Sequence, residues 1–273
     1  MIAWVLAHPG PVRVSIVAAV LLLLLAWQRL RPVRGDSAIA GRRWRNVAMV
    51  VIASAVAYVV VPVTTVALAA TADAAGIGFF NRVGMPAAME LVAGIVLLDL
   101  AIYWQHRLFH LLPWLWRIHR VHHNDIGFDA TLGLRFHPAE IVLSLLYKLA
   151  LIVALGLSPW TVLLYEVLLA SFALVTHADV TLTPRWEARV RRLLVTPDWH
   201  RVHHSVHRQE TDSNYGNILS VWDRLFRTHV AQPRDGHAAM SIGLPDFREP
   251  ESQRLLALLK QPLLNVRRAS TNR

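Results

Sequence analysis

The chain has 273 residues, 55% of them hydrophobic and only 17% charged, with a mean hydropathy of +0.39. That is too apolar for an ordinary soluble domain and fits one integral-membrane unit with several helical spans. Cysteine is absent, which excludes disulfides, thiolate ligands and iron–sulfur clusters; the net charge of +10 reads as basic loops beside anionic lipid head groups, not as nucleic-acid binding.

Val12 to Trp27 is the first expected span, interrupted near its start by Arg13 and Ser15. Six arginines follow it: Arg29, Arg31, Arg34, Arg42, Arg43 and Arg45. A cleaved signal peptide carries its charge before the apolar run, so this is read as a retained anchor with its N-terminus outside. Val47 to Ala70 is long enough to be the second span, at about 1.5 Å per helical residue. Thr71 to Pro86 reads as an outer loop, and Ala88 to Tyr103 as the third span, directed inward.

Ile141 to Leu157 and Trp160 to Val175 are expected as a helical hairpin around the turn Ser158-Pro159. After Thr176 the chain turns polar, and Arg185, Arg189, Arg191 and Arg192 suggest an amphipathic helix at the head groups. From about Arg248 a short surface helix with a disordered basic end is expected.

Three histidine groups punctuate this pattern: His106-Arg-Leu-Phe-His110, His119-Arg-Val-His122-His123 and His200-Arg-Val-His203-His204. Residues three and four apart share a helix face, so each group aims two or three imidazoles one way. Eight imidazoles exceed what a single zinc needs, and neutral imidazole suits iron, zinc, copper and nickel. The spacing therefore predicts a polynuclear metal site. Counting crossings puts all three groups, His177 and the arginine-rich segments on one face, which the positive-inside rule makes cytoplasmic.

The spacing resembles the fatty acid hydroxylase/sterol desaturase superfamily of membrane di-iron oxygenases. So do the phrases Asp99…Tyr103-Trp104-x-His106-Arg107, Leu134-Arg135-Phe136-His137-Pro138-x-Glu140, Thr196-Pro197-x-x-His200 and Asn214-Tyr215-Gly216…Trp222-Asp223-Arg224-Leu225-Phe226. The likeness runs from about Met89 to His229; one departure is Arg227-Thr228, where members commonly show Gly-Thr. The resemblance implies two iron ions in a histidine cage, replaceable by zinc on purification. It also implies O2 and external electrons used to hydroxylate or desaturate a lipid C–H bond. The donor would be a separate reductase, ferredoxin or cytochrome b5-like protein, because no G-x-G-x-x-G is present and His8-Pro9-Gly10 has no haem domain around it.

The expected ligands are His106, His110, His119, His122, His123, His200, His203 and His204, with His177, where the resemblance expects a lone histidine. His137, before Pro138, is taken equally as a ligand or a helix-start residue. Asp99 lies two turns before His106, and a carboxylate in a span is a functional candidate. It is read as an acceptor for a ligand N–H, while Tyr103 on the same stripe reads equally as packing. Arg107, Arg120 and Arg201 point about 100° from the ligand face and read as anchors for head groups or helix ends. His207, His229 and His237 read as surface residues; Asn124-Asp125, Asp129 and Asp223 as turns, caps or supports.

The expected protein is all-α and polytopic, with about five transmembrane helices and a cytoplasmic histidine-rich cap, in a bacterial inner membrane. It divides into N-terminal spans and basic loop (1–87), a histidine-box catalytic region (88–230) and a basic tail (231–273). The expected function is O2-dependent hydroxylation or desaturation of a membrane amphiphile. A zinc-dependent membrane hydrolase and a metal transport or storage protein are the alternatives, the first needing a general base near the metal.

Overall fold

The computed structural model describes residues 2–35 and 39–265. It is helical: among the described residues there is no β-strand, only two isolated bridges, Leu194 with Leu219 and Ser205 with Ile242. The helices in chain order are α1 (Ile2–Ala7), α2 (Pro9–Leu30), α3 (Arg42–Val60), α4 (Thr65–Ala74), α5 (Phe79–Arg82), α6 (Ala87–Leu111) and α7 (Pro113–His123). They continue as α8 (Pro138–Leu155), α9 (Pro159–Thr176), α10 (Pro184–Val190), α11 (Pro197–His203), α12 (Arg208–Thr211), α13 (Val221–Leu225) and α14 (Leu255–Lys260). Five helical stretches are long and apolar enough to cross a membrane, so the chain is a multi-pass membrane protein.

Two expectations about the spans need correction. The second span is not one helix from Val47 to Ala70 but α3 and α4, separated at 61–64. Pro62 lacks the N–H that would continue the ladder and pushes Val61 out of helical geometry; Thr64 then caps α4 by accepting from Ala67 N. Nor is 71–86 a plain loop. It completes α4 and contains α5, whose Phe80 is buried with Val66, Ala69, Leu157 and Val162.

α9 is the axis of the bundle, packed against α2, α4 and α6. Lipid surrounding a helix is as apolar as leucine, so close approach and internal polar bonds hold such helices together. Gly94 provides the approach: a Cβ there would stand 2.8 Å from Thr161 Cγ2 on α9. Glu90 Oε2 accepts from Thr161 Oγ1 at 2.7 Å, and Glu166 pairs with Arg13 at 2.8 Å and Lys148 at 3.0 Å, tying α6, α2 and α8 to α9.

The short helix expected after Arg248 is α14, and it is anchored to the bundle. Leu258 on α14 is fully buried with Met49 and Val121, and Gln253 Nε2 donates to the backbone carbonyls of Asn124 and Phe247. The expected disorder of 266–273 lies outside the described residues.

Candidate metal centre

α6 runs eight residues past the expected end of the third span and so carries both His106 and His110. Leu112 breaks the helix, Pro113 opens α7 at its first position, and His119, His122 and His123 fall on α7's buried face. Thr196 caps α11 by accepting from Trp199 N and starts the helix that carries His200 and His203, with His204 following it. His177 ends α9.

These nine histidines form two adjoining groups. The first is His106, His110, His119, His123 and His203; the second is His122, His177, His200 and His204, with one ligand atom from each residue within 4.8 Å of the others in its group. In the first group all five Nε2 atoms are buried and without a hydrogen-bond partner. Leaving buried polar atoms unpaired costs free energy, so five aimed at one space fit a cation there. In the second, His177 Nε2 lies 3.1, 3.0 and 3.2 Å from the Nε2 atoms of His122, His204 and His200. Nitrogens bound to one ion at about 2.1 Å stand about 3.0–3.4 Å apart. The donor set therefore fits two metal ions.

The outward-facing nitrogens fix the tautomers. His106 Nδ1 donates to the Tyr215 carbonyl at 2.8 Å, His203 Nδ1 to that of Ser213 at 2.6 Å, and His122 Nδ1 to that of Arg135 at 3.2 Å. His177 Nδ1 donates to the Ala173 carbonyl at 2.6 Å. Two carboxylates take part: Glu140 accepts from His119 Nδ1 at 2.7 Å and Asp212 from His110 Nδ1 at 3.3 Å. Each bond leaves Nε2 as the metal-facing lone pair. Burial, reinforced by neighbouring imidazoles, holds His122, His123, His200, His203 and His204 well below the usual histidine range, which is the neutral, ligating form.

His137 stands apart from both groups. Its Nδ1 accepts from Ala139 N at 3.1 Å, capping α8, and its Nε2 donates to the Leu259 carbonyl at 3.2 Å. Both nitrogens have partners here, and the side chain caps the start of α8. Asp99 does not meet a ligand imidazole either. It accepts from Ile218 N, Leu219 N and, at 2.8 Å, Trp222 Nε1. Asp223, fully buried, accepts from Tyr215 N and Gly216 N. Together the two aspartates fix the loop whose Tyr215 carbonyl orients His106.

The three arginines beside the ligands have different surroundings. Arg201 is buried against Asp198 and the Val180 carbonyl, and Arg120 donates to the Gln261 and Leu264 carbonyls. Only Arg107 lies outward, over the Trp104 ring. Asp125 pairs with Arg42 at 2.8 Å beneath α7, and Asp129 with Arg43 at 2.9 Å. His207 pairs with Asp235 near the surface, whereas His229 stacks flat on Trp199 at 3.9 Å. Glu140 and Asp212 went unassigned in the sequence reading, and only Glu140's place in the His137-Pro138-x-Glu140 phrase offered a signal.

A polytopic helical protein with a two-ion imidazole cage is the class that this geometry defines. The fatty acid hydroxylase profile matches residues 91–228, half of the chain and all nine cage histidines. The chain belongs to the fatty acid hydroxylase family. It is similar to the alkylglycerol monooxygenase of Homo sapiens, 31% identical over 49% of this chain and 29% of that protein. It is also similar to ornithine lipid hydroxylase OlsE of Rhizobium tropici (32% identical, 58% of this chain, 46% of that protein). A cholesterol 25-hydroxylase-like protein of Danio rerio is 33% identical over 51% of this chain and 55% of its own length. The chain thus spans about half or less of the curated relatives it matches, and no solved structure matches it.

Proposed function

We propose that this protein is a di-iron lipid hydroxylase that uses O2 and electrons from a separate carrier protein. The observation that carries the reading is the all-imidazole cage, with five partnerless Nε2 atoms in one group and four facing Nε2 atoms in the other. His106, His110, His119, His123 and His203 would hold one ion and His122, His177, His200 and His204 the other. Iron in such a cage supplies the means to activate O2 against an unactivated C–H bond. The protein's own part is to hold the nine imidazoles together, six of them in tautomers fixed through Nδ1, and to keep water from the cage. The similarity to a monooxygenase and a hydroxylase favours hydroxylation over desaturation.

The substrate is a membrane amphiphile, approaching from the bilayer because the ligands sit at the ends of α6 and α9. The positive-inside rule places the cage, and the arginines after α2, at the cytoplasmic face, and the similarity to a Rhizobium enzyme favours a bacterial inner membrane. A reductase, ferredoxin or cytochrome b5-like protein is the electron donor. Residues 88–230 form the catalytic region between N-terminal spans and a C-terminal segment that backs α7. A zinc hydrolase would need a carboxylate on the metal side of the rings. Glu140 and Asp212 instead bond Nδ1, opposite Nε2.

The deciding experiment supplies the purified, iron-loaded chain with 18O2, a reduced ferredoxin and extracted bacterial lipids. One 18O atom in a lipid alcohol, with close to two irons per chain, is expected. Hydrolysis of a lipid ester or amide without O2, and no label in any alcohol, would replace this reading with the hydrolase.

A further inference from the structure

A row of oxidisable rings leads away from the cage. Tyr215 is buried with ring centroids 5.6, 5.1 and 5.7 Å from those of His106, His110 and His203. Tyr103 follows at 6.2 Å from Tyr215, and Trp104 at 5.7 Å from Tyr103. Trp104 is 36% exposed, with the Arg107 guanidinium over it and Phe226 against its ring. The row therefore begins on three histidines of the five-histidine group and ends at the protein surface, at Trp104 toward the C-terminal end of α6.

Tyr103 also has a way to lose its proton. Its ring is fully buried and its hydroxyl donates to Thr228 Oγ1 at 2.8 Å, while Thr228 in turn donates to Asp223 Oδ1 at 2.8 Å. Phenylalanine would pack equally well against Phe226, which stacks on Tyr103 at 5.3 Å. The hydroxyl is thus extra to packing, and it joins a buried carboxylate. Burial raises the Asp223 carboxyl, making it a readier proton acceptor.

We propose that Tyr215, Tyr103 and Trp104 form a relay that carries oxidising equivalents out of the cage when no lipid is in place. The inference rests on the oxygenase reading. Hydroxylation uses two electrons from the carrier and two from the C–H bond to reduce O2 fully. Without lipid, the last two come through the relay, one at a time. Tyr103 gives an electron toward the cage by way of Tyr215, and its proton moves to Thr228 as the Thr228 proton moves to Asp223. An electron from Trp104 then restores Tyr103 as those protons return. An external thiol reduces the indole; two thiols give two electrons and two protons and become a disulfide, and O2 ends as water.

The test is a single turnover of the iron-loaded full chain, reduced, freed of reductant and then exposed to O2 without lipid or thiol. Peptide mass spectrometry reads oxygen added at Trp104 and at Trp116, which also touches the cage, 4.9 Å from His110, and serves as a proximity control. Trp104 should be the more oxidised, and thiol or lipid should protect it. Thr228→Val, which keeps every ring, and Tyr103→Phe should each lower Trp104 oxidation several-fold while leaving lipid hydroxylation unchanged. Equal oxidation of the two tryptophans, unaffected by T228V, would mean that proximity alone explains the damage and would overturn the relay. So would an unmodified Trp104 in a wild-type sample that hydroxylates lipid. Failure both to consume O2 and to hydroxylate lipid would overturn the oxygenase reading, and the relay with it.

Discussion

Glu140 Oε1 accepts the Nδ1–H of His119 across 2.7 Å, joining the first turn of α8 to α7. A carboxylate there fixes the ring and makes its opposite nitrogen more basic. Substituting Glu140→Gln keeps the shape and removes the charge. Metal affinity should fall about 10–100-fold, the usual loss when a ligand's partner is changed, as read by chelator competition. An unchanged affinity would mean that the bond positions α8 and does nothing for the metal.

Gly133 supplies a steric probe of the second group. A Cβ at this position would stand 2.2 Å from the Ala173 carbonyl oxygen, the atom that orients His177. Gly133→Ala should therefore displace His177 and reduce the metal content from two ions to one. Elemental analysis of the folded variant checks this, and two ions per chain would show that the turn can shift without cost.

His137 and His122 should behave oppositely. His137→Asn retains a capping acceptor for Ala139 N and should keep both ions, while His137→Ala should cost about 1 kcal/mol of stability for the lost cap. His122→Ala should lose one ion outright. Metal loss in the asparagine variant would return His137 to the ligand set.

Acid sensitivity should trace partly to His229. Burial, with Arg191 and Arg224 nearby, lowers its imidazole to about 4. The unfolded chain titrates near 6.5, so between about 6.5 and 4 it binds a proton that the folded chain refuses. Stability through this residue is unaffected above that window and falls as pH drops through it. His229→Phe keeps a ring on Trp199 and should lose less melting temperature between pH 7.5 and pH 5 than the parent. An equal loss would assign the acid sensitivity elsewhere.

The cage was legible because a ligand set on helices writes itself as i, i+3 and i+4 repeats, and His177 was added by the resemblance. His137 was ambiguous because a histidine before proline serves a helix start as well as a metal. Asp99 shares a stripe with His106, but that stripe does not show that residues 218–222 cross it and take its carboxylate. Glu140 meets His119 from 21 residues away through the 124–137 connection, a distance with no periodicity to read. The break at Pro62 was visible as a residue, yet the apolar run continues across it and masked the two helices.

The segment that backs α7 has a bearing on biosynthesis. Arg135, whose carbonyl orients His122, is fully buried and shares Gln253 Oε1 as a partner at 2.9 Å, and Gln253 is synthesised 49 residues after His204. While the ribosome is still translating that stretch, all nine histidines already exist but the floor beneath α7 does not. The last of Arg135's buried partners, and with it the full support of the carbonyl that orients His122, is in place only after Gln253 has left the ribosome and docked.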